Sequence, residues 1–339
     1  MKFKSPTCVV VALSLVSLSL ALSRTVEAQQ NWKAGLGAES KDMGKQAIAF
    51  LPNELWIHAG DSITWTSASG DIHTVSFFIA GQPYEDFNTG CPGFSPSGTS
   101  FNGSTCVSGP PLVAGQSFTV KFPKAGNYSL ICLVHPHMTG VIHVLAANAA
   151  LPHDQFFYDE QAEKQTHNLL SDADNDKENH GHQKMEDMLS AKVLRGNGVA
   201  AGIGEMNSTA AGFQSLSVVR FLNGTIEIHA GETVEWSVLD PALPHTITFG
   251  VEPAPPNFGP PSANVSFDAD GGRHATLKFV GDSAHSGIIG AVPMNQAGVP
   301  QSPPSIPVFR VTFLKAGTYD YICALHDDLG MVGKVIVKP

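Results

Sequence analysis

Residues 50–65, FLPNELWIHAGDSITW, recur without a gap as FLNGTIEIHAGETVEW at residues 221–236. In both copies apolar and polar residues alternate up to an Ala-Gly turn and again after it, the pattern of two short half-buried strands joined by a tight connection. Each copy is followed by a histidine: Ile72-His73-Thr74-Val75 in the first and Pro244-His245-Thr246-Ile247 in the second. Further along, FPKAGNYSLICLVHPHMTGVIHV (122–144) matches FLKAGTYDYICALHDDLGMVGKVIV (313–337). Repetition of a whole unit at so long a spacing means a duplicated domain and not a solenoid. Several short strands per unit, rich in Val, Ile, Thr, Phe and Tyr and punctuated by Gly and Pro, predict an all-β chain of two sandwiches. A length of 339 residues agrees with two domains.

The ends and the middle divide the chain. Lys2 and Lys4 precede an apolar run, Val9 to Leu22, and Val26-Glu27-Ala28 offers small residues for cleavage. This predicts a signal peptide over 1–28 and an exported protein, periplasmic or extracellular. No later stretch has the length of a membrane span. The boundaries follow: a first domain at 29–147, a linker at 148–212 and a second domain at 213–339. The linker is acidic, with ten acidic and three basic side chains between His153 and Asp187, and DQFFYDEQAEKQTHNLL (154–170) has helical character. It is expected to be partly helical or disordered. A Pro/Gly-rich insertion from Gly250 to Pro307 is expected as a loop at one end of the second sandwich. The formal charge of −10, or −12 without residues 1–28, argues against nucleic acid as a partner.

Cysteine use narrows the chemistry. Cys8 lies in the leader, which leaves Cys91, Cys106, Cys132 and Cys323. Cys91 and Cys106 flank PGFSPSGTSFNGST, where a disulfide would clamp a loop with little structure of its own. Cys132 and Cys323 then stand unpaired, one per half, an unusual state for an exported chain. Each begins a close run of metal-binding side chains: Cys132, His135 and Met138 as CxxHxxM, and Cys323, His326 and Met331 as CxxHxxxxM. His73 and His245 supply the fourth member. Thiolate, two imidazoles and a distant thioether form the ligand set of a mononuclear blue-copper electron-transfer site. One copy alone could be a buried Cys, a core Met and a surface His. Two copies, each on the only unpaired cysteine of its half, point to one copper in each.

On these residues both halves resemble cupredoxins. The first loop, with Pro136, is similar to that of amicyanin, and the second, ending GMVGKVIV (330–337), to that of plastocyanin. The resemblance implies a Greek-key β-sandwich with type 1 copper at one end, redox partner proteins, and His135 and His326 near the surface where electrons pass. Thr74 and Thr246 stand where such proteins often have Asn.

Enzymatic alternatives need a second copper reached through a histidine beside the cysteine. Ile131 and Leu133 flank Cys132, and Ile322 and Ala324 flank Cys323, so that neighbour is missing. An electron carrier that makes and breaks no bonds is therefore expected. Copper storage or resistance remains an alternative, with a two-domain oxidase or reductase behind it. His58 and His229 are expected to be structural, as is His143. His137 and the linker histidines 153, 167, 180 and 182 are expected to be solvated.

Overall fold

The computed structural model describes residues 29–82, 91, 93–135, 137–171, 196–254, 257–291 and 306–339. The signal-peptide reading, Pro136, and linker residues 172–195 with His180 and His182 lie outside them.

The first half contains β1 (Asn31–Glu39), β2 (Lys45–Leu51), β3 (Glu54–His58), β4 (Ser62–Ser67), β5 (Ser76–Phe77), β6 (Thr99–Ser100), β7 (Val107–Ser108), β8 (Ser117–Lys121), β9 (Gly126–Ile131) and β10 (Thr139–Leu145). After α1 (Gln155–Ser171), the second half contains β11 (Gly198–Thr209), β12 (Gly212–Leu222), β13 (Thr225–His229), β14 (Thr233–Leu239), β15 (Thr248–Phe249), β16 (Ser266–Phe267), β17 (Arg273–Leu277), β18 (Ala284–His285), β19 (Val308–Phe313), β20 (Gly317–Ile322) and β21 (Val332–Lys338).

Each half is a two-sheet sandwich. In the first, β3-β10-β9-β5-β7 faces β2-β1-β4-β8-β6; in the second, β13-β21-β20-β15-β18 faces β12-β11-β14-β19-β17-β16. In each half the third strand pairs in parallel with the last, β3 with β10 and β13 with β21. Between the sheets lies a core of aromatic rings. Trp65 packs on Phe77 at 5.9 Å between ring centroids, and the equivalent Trp236 packs on Phe249 at 5.6 Å and on Tyr321 at 5.1 Å. Alternation in β14, TVEWSVL, puts Val234, Trp236 and Val238 on this inner face.

One feature of the architecture was not expected. Strands β2 and β12 pair antiparallel, Ile48 opposite Ser215 and Lys45 opposite Val218, which merges one sheet of each half into a single eleven-stranded sheet. Each strand would otherwise be an open edge, and pairing satisfies its free N–H and C=O groups. The linker is also shorter than read from sequence. Strand β11 falls inside the segment assigned to it, and its Gly- and Ala-rich composition, GVAAGIGEMNST, hides the alternation that marks a strand. The Gly250–Pro307 segment likewise holds β16, β17 and β18, of which β17 pairs in parallel with β19. These strands have two to five residues and too short a period to read.

The helical expectation is met by α1. Asp154 caps it through Oδ1, which accepts from Phe157 N–H at 3.0 Å. Leu169 packs with Ala47, Ala49 and Leu51 on β2. Tyr158 is buried, its hydroxyl accepting from Trp56 N–H at 2.8 Å and donating to Trp56 O at 3.2 Å. The helix is thus fastened to the first sandwich. Cys91 and Cys106 form a disulfide, with Cα atoms 5.8 Å apart.

Candidate metal centres

In the first half the strand β9 delivers Cys132 at its end, and a tight turn carries His135 and Met138 before β10 begins. Cys132 N–H donates to Met138 O at 3.0 Å and Met138 N–H to His135 O at 2.8 Å, so three side chains are gathered by one closed loop. His73 arrives from the β4–β5 connection, pinned by a two-way backbone bridge to Leu112. His73, Cys132 and His135 bring one ligand atom each within 4.8 Å of one another, and all are buried. The two Nδ1 atoms are 3.2 Å apart and Cys132 Sγ is 3.8 Å from His135 Nδ1. Met138 is fully buried.

The second half repeats the plan. Cys323 N–H donates to Met331 O at 3.0 Å, and Met331 N–H to His326 O at 3.0 Å. His245, Cys323 and His326 converge within the same 4.8 Å limit, with Sγ 3.4 Å from His326 Nδ1 and 3.9 Å from His245 Nδ1. Met331 is fully buried. The six His and Cys residues singled out from sequence therefore converge at the two centres, and Met138 and Met331 lie buried on the loops that carry them.

The threonines after the first histidines hold the cysteines. Thr74 N–H and Thr246 N–H each donate to the thiolate sulfur at 3.3 Å, and their hydroxyls accept from Leu133 N–H and Ala324 N–H at 2.7 Å. The hydroxyl thus ties the ligand loop to the histidine segment.

Electrostatics suit a cation. Burial pushes the Cys132 thiol up, but the imidazoles of His135 and His73 outweigh it and hold the thiol well below its usual range; His326 and His245 do the same for Cys323. Against burial, the Asp71 carboxylate raises His135 to about 10, and Asp240 with Cys323 raises His245 to about 9. Without metal, each pocket is a thiolate beside an imidazolium, and a soft cation displaces the imidazolium protons. The donor set, the burial and the converging Nδ1 and Sγ atoms fit copper.

Four supporting residues escaped sequence reasoning. Ser69 Oγ lies 3.0 Å from His73 Nε2, and at the matching position Asp240 Oδ2 lies 3.4 Å from His245 Nε2. Asp240 Oδ1 is itself held by Ser217 Oγ and by the N–H groups of Ala242 and Leu243. The remaining two are glycines, Gly37 (φ +60°) and Gly202 (φ +71°), at bulges in β1 and β11. A Cβ on either would meet the first histidine, 2.4 Å from His73 Nε2 or 2.1 Å from His245 Nε2. Their signal was visible as AGLG (34–37) and AGIG (201–204), but the letters align Gly37 with Gly204. Strand pairing instead sets Ala34 beside Trp65 and Val199 beside Trp236, which equates Gly37 with Gly202.

The expectation for His135 and His326 is corrected. They are 2% and 3% exposed and do not reach the surface. The β4–β5 connection that carries His73 meets the second ligand loop: a methyl on Gly70 would lie 2.7 Å from Leu329 Cδ2. Asp71 Oδ2 sits 3.3 Å from His135 Nε2. Of the other histidines, His58 is buried with Nε2 2.7 Å from Ala149 O, while His229 is largely exposed, so their shared position carries no shared role. His143 stacks on Trp56 and bonds Asn127 and Glu54, a structural place. His137 is half-buried, with Nε2 enclosed and its ring near Phe213, and is not simply solvated.

Comparison with known proteins agrees with this geometry. The family model for copper binding proteins of the plastocyanin/azurin family matches residues 38–145 and 307–338. Amicyanin-alpha of Methylorubrum extorquens is 31% identical over 134 residues, 39% of this chain and 92% of its own. Plastocyanin of Ginkgo biloba is 29% identical over 99 residues, 29% of this chain and 88% of its own. A crystal structure of amicyanin from Paracoccus versutus covers 34% of this chain and 81% of its own at 21% identity, with a TM-score of 0.24. The two sequence relatives are each covered almost whole by about a third of the present sequence. The chain belongs to the plastocyanin/azurin family of copper-binding proteins.

Proposed function

We propose that this is an exported electron-transfer protein that holds one type 1 copper in each half, exchanges single electrons with redox partner proteins, and catalyses no bond-making reaction. The observation that carries the reading is the pair of buried His/Cys/His clusters, each closed by a fully buried methionine on the same loop. When bound, copper would supply a one-electron couple. The protein's part is to keep the donors still: the loop bonds, the Thr74 and Thr246 clamps and the Ser69 and Asp240 contacts resist rearrangement between oxidation states. Export is supported by the apolar leader and by the Cys91–Cys106 disulfide, which suits an oxidising compartment. The absence of a histidine next to either cysteine in the sequence favours a carrier over an oxidase or reductase.

The test is metal analysis with a visible spectrum of the mature, copper-supplied chain. Two coppers per chain and an intense blue colour, bleached by a one-electron reductant, are expected. Colourless protein, or steady turnover of nitrite or a phenol, would overturn the reading.

A further inference from the structure

A ligand imidazole offers the shortest bonded way out of a copper site, and here the outward nitrogen of His135 does not lead to solvent. It leads to Asp71, whose carboxylate is 3.3 Å from Nε2 in a buried setting. Asp71 follows Gly70, which bears the side chain of Leu329 from the other half. Leu329 belongs to the second ligand loop, its N–H donating to His326 O at 3.1 Å. The contact is held by Arg220, which donates to Leu329 O at 2.7 Å through Nη1 and to Asp42 O at 2.6 Å through Nη2. Arg220 thereby pins the second ligand loop to the β1–β2 turn of the first half.

We infer that Asp71 and Gly70 with Leu329 and His326 form an internal route along which one electron passes between the two metal centres. The inference rests on the two-copper reading above. In the step a cuprous centre in one half is oxidised by one electron and a cupric centre in the other is reduced by one; no bond forms or breaks and no proton moves. Asp71 is a positioning residue in this scheme, since it touches a ligand and not the metal.

Two measurements on the full mature chain test it. In the first, the fully copper-loaded protein receives less than one electron per chain from a flash-generated reductant, and redistribution between the two centres is followed optically. A rate independent of protein concentration is expected, falling about tenfold or more in Asp71→Asn and in Arg220→Ala. A rate proportional to concentration, or one indifferent to both substitutions, overturns the route. In the second, the redox-silent zinc-loaded protein is examined by NMR, where Asp71→Asn is expected to shift the imidazole resonances of both His135 and His326. A shift confined to His135 marks a local role and overturns it. A wild-type chain with two coppers but no concentration-independent redistribution defeats this inference alone, whereas a chain that binds fewer than two defeats the two-copper reading and this inference with it.

Discussion

Replacing Gly202 by alanine is expected to weaken metal binding at the second centre while sparing the first. The new Cβ would lie 2.1 Å from His245 Nε2 and 2.7 Å from its Cδ2 and Cε1. Ordinary contact needs roughly 3.5 Å between carbon-sized atoms, so ring or strand must retreat by more than about 1 Å. Metal–ligand distances tolerate only about 0.2 Å. The imidazole therefore cannot keep both its place beside Cys323 and its 3.4 Å approach to Asp240. Loss of such a supporting partner typically weakens metal binding about 10- to 100-fold. The backbone adds strain, because φ is +71° and an L side chain there costs about 1–2 kcal/mol. Gly231→Ala separates the two effects: it has φ +92° in the same half but nothing within 4 Å of a Cβ. That variant should lose about 1–2 kcal/mol of stability and keep both coppers. Copper analysis, competitive chelation and denaturant unfolding of the two variants read the difference. If Gly202→Ala binds two coppers as tightly as the wild type, the packing argument fails.

Other expectations follow from single contacts. Tyr158→Phe removes the acceptor of Trp56 N–H and the donor to Trp56 O; a loss of about 1–3 kcal/mol is expected in denaturant unfolding, with faster proteolysis at α1. Ser69→Asp gives His73 the carboxylate partner that His245 already has, which should make the imidazole more basic, favour the oxidised metal and lower the first centre's reduction potential in a titration. Arg310 bonds Glu235, Asp268 and Asp270, and its hydrogen bonds hold the Asp268 carboxyl low and Asp270 down to about 2. Because these folded-state values are depressed, their contribution is present above about pH 4 and lost as pH falls towards about 2. Arg310→Gln should therefore raise the acid-unfolding midpoint of the second half, read by circular dichroism; an unchanged midpoint would refute it.

How much could be read beforehand depends on range. The ligand sets were legible because three of four donors sit in one turn, where spacing alone limits geometry, and because duplication supplied an internal control. The sandwich was legible from period-two alternation, as in TVEWSVL, and the helix from the contiguous run DQFFYDEQAEKQTHNLL, whose cap by Asp154 the structure added. The glycines beneath His73 and His245 were present as letters but misaligned, since a β-bulge shifts the register without altering composition.

Sequence by itself determined the two metal-binding constellations, the β class, the duplicated plan and the pairing of Cys91 with Cys106. Only the tertiary structure decided that β2 and β12 join, that β11 belongs to the second sandwich, and that His135 and His326 are enclosed at a junction with Asp71 and Leu329. The physical reason is that donor chemistry and strand periodicity belong to side chains and short spacings. Edge pairing, by contrast, uses backbone groups common to nearly every residue, and enclosure of one loop by another depends on surface fit between segments some 250 residues apart.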